Sequence, residues 1–247
     1  AEIVVDAIID DRKLLEIGFA ERSGHKVCIK SKVRGDRFRW LQLARTNADQ
    51  GVKLRVASNA TLQKQFAALG NILSLDAPPE RLECFDVSHT SGEATVASCV
   101  IFNQAGPLKS DYRRFNLNPK TAGDDYAAMA EAIKRRYKRV KTGEVAMPDV
   151  LFIDGGKGQL AEALTVLGKL ELDWLQGVAV AKGRSRRSGM EQLFLAGLST
   201  PTILPADSPA LHLIQHLRDE AHRFALTGHR QRRAKARKTS RLEEIPG

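Results

Sequence analysis

Two aspartates lie at the polar ends of two predicted buried strands. Asp86, in CFDVSHT, and Asp154, in DVLFIDGGKG, each end an apolar run of the kind that forms a central strand. An unpaired carboxylate is costly to bury, so each position calls for a cation, a solvent-filled cleft or a set of backbone amide donors. Carboxylate oxygens are preferred ligands of Mg²⁺. Together the two aspartates predict a divalent-cation site suited to phosphodiester hydrolysis.

Asp125 is a third acidic candidate. The segment GDDYAAM places it beside Asp124 at the start of a predicted helix. A carboxylate at a helix start is equally explained as a cap or by the macrodipole. The sequence therefore leaves open whether Asp125 has a functional role.

Histidines mark the last predicted helix. His212 and His216 are four residues apart on one face, but no third ligand of suitable spacing accompanies them, and this argues against zinc. His222, in RDEAHRF, lies one helical turn from Arg218 and Asp219. From the residues alone, His222 is uninformative.

The turn GGKGQ at 155–159 joins a strand to a helix. Such a turn can present backbone amides and the positive end of a helix to a phosphate, and Lys157 could add a contact. The P-loop spacing is absent, which argues against nucleotide hydrolysis. A tight turn that simply requires glycine is the competing explanation.

Charge indicates the class of partner. The formal net charge is +10 and the sequence pI is about 9.7, which favours nucleic acid over an anionic membrane surface. Basic residues cluster at 134–139, at 182–187 and at 230–241. A solvated helix face accounts for the first cluster. The last has no acidic residue, so its charges are more easily retained against phosphates, and we predict DNA contacts from Arg230, Arg232, Arg233 and Lys235.

Other classes of protein are disfavoured. No apolar stretch approaches the roughly 20 residues of a membrane span, and the start AEIVVDAIIDDRK lacks the charge order of a signal peptide. The three cysteines show no CxxC spacing, so they are predicted to be reduced core residues rather than disulfide or zinc partners. We predict a cytoplasmic protein with no membrane partner.

Periodicity predicts two domains. Strands at 2–5 and 26–30 with a helix at 12–22 form a small α/β lobe, and spacings of three and four predict one long helix or two helices over 36–75, with a possible break at Ser58 and Asn59. Pro78 and Pro79 disfavour further helix. The predicted domains are therefore 1–76 and 77–247.

The second domain has the pattern of a mixed α/β sheet. Strands at 81–88, 94–102 and 111–117 form an antiparallel meander, and strands at 149–154 and 177–181 are made parallel by a helical crossover over 158–172. Helices at 125–140 and 208–238 complete the flanking layers. The order predicts an RNase H-like sheet flanked by helices.

Several motifs together resemble the C-terminal half of the UvrC family. They are CFDVSHTSGE, GDDYAAM, LFIDGGKGQL, SPALHLIQHLRDEAHRFA and GHRQRRAK, in that order across 77–247. The resemblance implies an RNase H-like endonuclease that makes the 5′ incision in bacterial nucleotide excision repair, part of the SOS response, with Mg²⁺ or Mn²⁺. It places the catalytic and metal-binding Asp-Asp-His set on Asp86, Asp154 and His222, and a further implicated aspartate on Asp125.

The resemblance leaves the role of His222 open between metal ligand and proton donor. It implies damaged double-stranded DNA and UvrB as partners. The family's GIY-YIG module for the 3′ cut and its UvrB-binding segment are expected upstream, and its helix-hairpin-helix repeats downstream. We therefore expect a portion of a longer protein, with weak DNA affinity and little activity by itself.

The alternative hypothesis is a non-catalytic DNA-binding or repair-protein interaction module on the same scaffold. Such a module would keep the basic clusters but would not need acids in its central strands. Asp86 and Asp154 favour catalysis.

Overall fold

A computed structural model describes residues 1–88, 96–118, 123–181 and 191–243, with side chains up to residue 227. The chain divides into two compact units, Ala1–Ser58 and Asn59–Gly247. Each unit has its own sheet. Within the described residues, no helix is long and apolar enough to cross a membrane.

The first unit is a small βαβ motif followed by a helix. Strand β1 (Glu2–Val4) pairs in parallel with β2 (Cys28–Lys30), and helix α1 (Arg12–Ser23) connects them. Gly24 ends α1 in the left-handed region at φ 71°, which glycine adopts without steric cost. Across this fully described unit, Val27 and Ile29 are the buried hydrophobic residues, so its core is small.

Helix α2 (Asp36–Ile72) is continuous, so of the two predicted alternatives the structure has the one long helix without a break at Ser58 and Asn59. The compact units divide at Ser58 and Asn59, earlier than the boundary predicted at residue 76. Phe66 and Leu69, near the end of α2, are fully buried in the core of the second unit. The helix ends at Ile72, with Ser74 in the left-handed region at φ 54°, before the proline pair is reached.

The second unit is built on one mixed sheet in the order β10-β9-β8-β7-β3-β4-β5, with β6 also paired to β4. Its strands, within the described residues, are β3 (Arg81–Ser88), β4 (Val96–Asn103), β5 (Gly106–Pro107), β6 (Arg113–Asn116), β7 (Val150–Asp154), β8 (Gln176–Ala181), β9 (Gln192–Leu195) and β10 (Thr202–Ile203). The central strands β3, β4, β7 and β8 are largely buried, as their apolar composition predicts.

The pairing confirms the predicted mixture. β3 and β4 are antiparallel, while β3 with β7 and β7 with β8 are parallel. Helix α4 (Lys157–Lys169) makes the crossover from β7 to β8. Strands β9 and β10 were not predicted, and the predicted strand at 111–117 is a 3₁₀ turn at Lys109–Asp111 followed by β6.

The two faces of the sheet carry different helices. Glu83 and Phe85 of β3 face helix α3 (Asp125–Lys141), where Glu83 pairs with Arg136 and Phe85 lies against Tyr137. Ser98 of β4 faces helix α5 (Pro209–Glu243) on the other side. The candidate active site lies on the α5 side.

Cys84 and Cys99 are buried and Cys28 is partly buried, and all three are free thiols.

Candidate active site

Asp86 and Asp154 lie on the same face of the sheet. Cys84 of β3 stands opposite Phe152 of β7 in parallel register, and each aspartate follows two residues later on its strand. Since side chains alternate along a strand, both carboxylates take the side of Cys84 and Phe152. Both line one open pocket, together with His222, Gly155, Gly156, Val180 and Ala181.

The Asp86 carboxylate is buried and only partly satisfied. The residue is 5% exposed, and its Oδ2 atom has no hydrogen-bond partner among the described residues. The nearest cationic candidate is Nδ1 of His222 at 3.7 Å, which is too long for a direct hydrogen bond. Burial raises the pKa of Asp86, while His222 and then Arg218 oppose the rise.

Asp154 is held differently, by an arginine from α5. Nε of Arg218 lies 3.1 Å from Oδ1 of Asp154, and Nη1 of the same guanidinium lies 3.4 Å from Oε1 of Glu191. Gln215 donates to Glu191 Oε2 at 3.1 Å. The result is a chain of polar contacts from α5 to the pocket and to the start of β9.

Three contacts fix α5 beside the pocket. Ser98 Oγ donates to the carbonyl oxygen of Ala221 at 3.0 Å, directly before His222. Arg114 donates to the carbonyl oxygen of Phe224 at 2.8 Å, and its guanidinium lies 3.8 Å from the centre of the Phe224 ring. Ser98 stands opposite both Asp86 and Arg114 in the sheet, so one cross-strand row positions the carboxylate and the helix together.

The two aspartates at the start of α3 have different roles. Asp124 is the N-cap, since its Oδ1 accepts from the backbone amides of Tyr126 and Ala127 at 3.0 Å. Asp125 is the first helical residue, close enough for its charge to add to the rise in the pKa of Asp86. Asp124, and not Asp125, is therefore the residue that caps the helix. Asp125 does not line the pocket itself.

The glycine turn between β7 and α4 forms one wall of the pocket. The Gly156 amide donates to Gln159 Oε1 at 3.0 Å, which caps the helix start. A Cβ atom on Gly155 would lie 1.8 Å from the same Gln159 oxygen, so a larger residue there would displace the Gln159 side chain from its capping position. Lys157 is exposed at the first position of α4, next to the pocket wall.

His212 and His216, whose spacing argued against a zinc site, each contact another residue of the protein. Nε2 of His212 lies 3.0 Å from the carbonyl oxygen of Ala206, and the His216 ring meets the Phe102 ring edge-on at 4.9 Å. In the described part of the chain, no three His, Cys, Asp or Glu side chains are clustered tightly enough to hold a metal. Asp86, Asp154 and His222 thus share a pocket without forming a ready three-ligand set; Arg218 contacts Asp154, and the His222 side chain is 58% exposed.

Most of the predicted DNA-binding residues fall outside the described side chains. The cluster at 182–187 lies outside the described residues. Arg230, Arg232, Arg233 and Lys235 belong to α5, whose backbone is helical there, but their side chains are not described. Their DNA contacts stay a prediction.

Sequence reasoning missed Glu191 and the role of Arg218. Arg218 is 9% exposed and Glu191 is 6% exposed, both rare values for charged residues. Glu191 precedes the short strand β9 and has no local pattern. For Arg218, the one available signal was its position four residues before His222 on the same helix face.

Two family models match the chain. One, described as the UvrC RNAse H endonuclease domain, matches residues 70–226, and another, described as the UvrC Ribonuclease H-like domain, matches residues 1–55. The first match covers the sheet, the pocket and the first half of α5. It confirms the predicted RNase H-like fold.

Curated relatives match over the whole chain. The UvrABC system protein C of Pseudomonas paraeruginosa is 56% identical over 247 residues, and that of Pseudomonas syringae pv. tomato is 53% identical over the same span. These matches cover 100% of this chain and 41% of each relative, so the chain spans about two fifths of their length.

Solved structures overlap the chain more loosely. Ciona intestinalis endonuclease V in complex with an inosine-containing DNA is 16% identical, with a TM-score of 0.31, over 55% of this chain and 59% of that one. Human ENDOV is 14% identical, with a TM-score of 0.32, over 60% of this chain and 86% of that one. Overlaps at this level carry no argument about function.

Proposed function

Because the chain belongs to the UvrC family, we propose that its second unit is a metal-dependent DNA endonuclease that makes the 5′ incision in nucleotide excision repair. The observation that carries this proposal is the convergence of Asp86 and Asp154, from two adjacent parallel strands, on one pocket beside His222. A binding module without catalysis has no need of such a costly pair of acids.

The pocket has suitable donors for Mg²⁺ or Mn²⁺. Asp86 Oδ2 is a buried oxygen without a hydrogen-bond partner among the described residues, and Asp154 supplies carboxylate oxygens from the neighbouring strand. Hard divalent cations take such oxygens and leave other positions for water and phosphate. A cation bound there would polarise the phosphodiester and lower the pKa of an attacking water.

His222 is suited to proton transfer. Its Nδ1 faces Asp86, and its side chain is mostly exposed on the open side of the pocket. With Nδ1 oriented towards the carboxylate, Nε2 is left to give a proton to the leaving oxygen. We assign His222 this role rather than that of a metal ligand, and we assign Asp125 an electrostatic role beside Asp86.

The substrate and partners follow from the family. We propose damaged double-stranded DNA as the substrate and UvrB as the protein partner. The net charge of +10 supports a polyanionic substrate. Lys157, beside the pocket at the helix start, is positioned to contact a phosphate.

Substitution of the carboxylates tests this function. Asp86→Asn and Asp154→Asn, each made in the full-length protein, should reduce the 5′ cut of a lesion-bearing duplex by about 10³-fold or more, because the metal loses a charged ligand. Products labelled at each end of the cut strand separate the two incisions. The 3′ cut by the upstream module serves as the internal control for folding and DNA loading.

The matched control is Asp149→Asn. Asp149 lies in the same segment as Asp154, but it accepts hydrogen bonds from the backbone amides of Glu80 and Arg81 at the opposite end of β7. Asp149→Asn should leave the rate of the 5′ cut within a few-fold of the wild-type rate. A normal 5′ cut in Asp86→Asn would refute the assignment.

A further inference from the structure

Arg218 is a buried cation shared by two carboxylates. Its guanidinium contacts Asp154 through Nε at 3.1 Å and Glu191 through Nη1 at 3.4 Å. Its side chain is 11% exposed and that of Glu191 is 7% exposed. Shielding from water strengthens both interactions relative to surface ion pairs.

The arginine provides the positive charge that two neighbouring acids need. Asp86 and Asp154 lie on the same face of adjacent strands, so their charges repel one another when both are ionised. Arg218 pairs with Asp154 at 3.1 Å, on the same face of the sheet as Asp86. It therefore offsets the repulsion between the two carboxylates.

We propose that Arg218 is the internal counter-ion of this pocket, and that a divalent cation binds by displacing its guanidinium from Asp154 onto Glu191. This inference rests on the proposed function. Arg218 is then a positioning residue, and Glu191 keeps the released guanidinium from being buried without a partner. Gln215 holds Glu191 in place through its 3.1 Å hydrogen bond.

The planar guanidinium explains why an arginine suits this task. Nε and Nη1 point along different edges of one rigid group, so a single side chain reaches both acids. Movement towards Glu191 needs only the loss of the contact at Nε. A lysine has one compact ammonium group and would pair with one acid at a time.

Mn²⁺ binding to the full chain tests the displacement. In a titration followed by the electron paramagnetic resonance signal of free Mn²⁺, Arg218→Gln should bind Mn²⁺ about tenfold more tightly than wild type, because the competing cation is gone. Glu191→Gln should bind more weakly, because the guanidinium then has only Asp154 as an acidic partner. A residue with a merely structural role would weaken binding in both variants.

The double variant Arg218→Gln/Glu191→Gln separates displacement from the simple addition of charges. If Glu191 acts through the guanidinium, Glu191→Gln has no further effect once Arg218 is replaced, and the double variant binds like Arg218→Gln. If the two charges act independently on Mn²⁺, the double variant falls between the singles, and the displacement model is overturned. Arg218→Lys should bind more tightly than wild type despite its unchanged charge.

Thermal melting in EDTA gives a readout without metal. Arg218→Gln should lower Tm by about 3 °C or more, and adding Asp154→Asn to it should recover part of the loss, since the unpaired acid is removed. Arg223→Gln is the matched control, because exposed Arg223 on the same helix pairs with Glu220 at 2.6 Å and does not line the pocket. Arg223→Gln should change Tm by less than about 1 °C and should leave the affinity for Mn²⁺ unchanged.

The outcomes distinguish this inference from the proposed function. If wild type binds Mn²⁺ through Asp154 and Arg218→Gln binds no more tightly, the counter-ion role fails while the metal site stands. If neither protein binds Mn²⁺, the metal chemistry fails, and the melting comparison decides the role of Arg218 by itself.

Discussion

Asp86 is a buried carboxylate that costs stability where it stands. It interrupts an apolar strand, it is 5% exposed, and one of its oxygens has no hydrogen-bond partner among the described residues. A hydrophobic or neutral side chain would be easier to bury there. The fold tolerates the carboxylate because the strands around it are fully packed.

The sign of the pKa shift gives a pH-dependent prediction for Asp86→Asn. Burial raises the pKa of Asp86 above its ordinary value of 3.8, so the native state is favoured while the group is protonated and loses that stability as the pH rises through the raised pKa. In EDTA, Asp86→Asn should therefore match wild type at about pH 3 and be more stable by about 1 kcal/mol at neutral pH. Urea unfolding at both pH values measures the difference. Equal stability at neutral pH would contradict a desolvated carboxylate.

The sequence predicted the acids of the pocket better than their partners. A charged residue inside an apolar strand is a local signal, which is why Asp86 and Asp154 were found and shown to share a face. Arg218 and Glu191 are 27 residues apart and meet only through folding, so no periodicity marks them. The metal-ligand role of His222 was a family expectation, and Nδ1 of His222 lies 3.7 Å from Oδ2 of Asp86.

Helix α5 is attached to the sheet by polar contacts as well as apolar packing. Arg114 bonds to the carbonyl oxygen of Phe224 and to Thr227 Oγ1, both at 2.8 Å, and lies over the Phe224 ring. Arg114→Ala should lower the free energy of unfolding by about 2–3 kcal/mol. It should also reduce the proposed 5′ incision, because His222 lies two residues before Phe224 on the same helix.

The neighbouring arginine is the control for Arg114. Arg113 is exposed and donates to the carbonyl oxygens of Ser110 and Tyr112 within its own loop. Arg113→Ala should cost under about 1 kcal/mol and leave incision intact. Similar losses in the two variants, measured by urea unfolding, would show that Arg114 has no special role in holding α5.

Helix α2 offers a matched pair of glycines. A Cβ atom on buried Gly70 would lie 3.2 Å from the Pro78 Cα atom, whereas at Gly51 nothing lies within 4 Å. Gly51→Ala should stabilise the first unit by about 1 kcal/mol through helix propensity. Gly70→Ala should instead destabilise the second unit by about 1–3 kcal/mol, because backbone atoms must move. Differential scanning calorimetry measures both, and a gain at Gly70 would contradict the close contact.

Elements in the centre of the sheet were predictable and elements at its edge were not. β3 and β7 are apolar runs with sharp ends, and their predicted bounds match within one residue. β9 and β10 have four and two residues, too few for alternation to show. The domain boundary was placed at the proline pair, but the end of α2 packs into the second unit, and only tertiary contacts reveal that.

The distribution of charge over the molecule predicts how DNA binding depends on salt. Neutralising Arg232, Arg233 and Lys235 to glutamine should weaken DNA binding and lower the slope of log K against log salt by about 2–3, as three phosphate contacts are lost. The control removes the same charge from Lys134, Lys138 and Lys169, which line a groove between α3 and α4 on the face opposite α5. That variant should keep the wild-type slope. Equal slopes in the two variants, measured by fluorescence anisotropy, would mean that the end of α5 does not track the DNA.

One continuous helix carries both the pocket histidine and the cationic residues that follow it. The backbone of α5 is helical from Pro209 to Glu243, so Arg232 lies about 15 Å along the axis from His222 at 1.5 Å per residue. An extra residue inserted after Thr227 would rotate everything beyond it by about 100°, whereas four would nearly restore the direction at a displacement of about 6 Å. In the complex that we propose, the number of residues between these two points sets how far along a DNA strand the scissile phosphate lies from the phosphates bound by the end of α5.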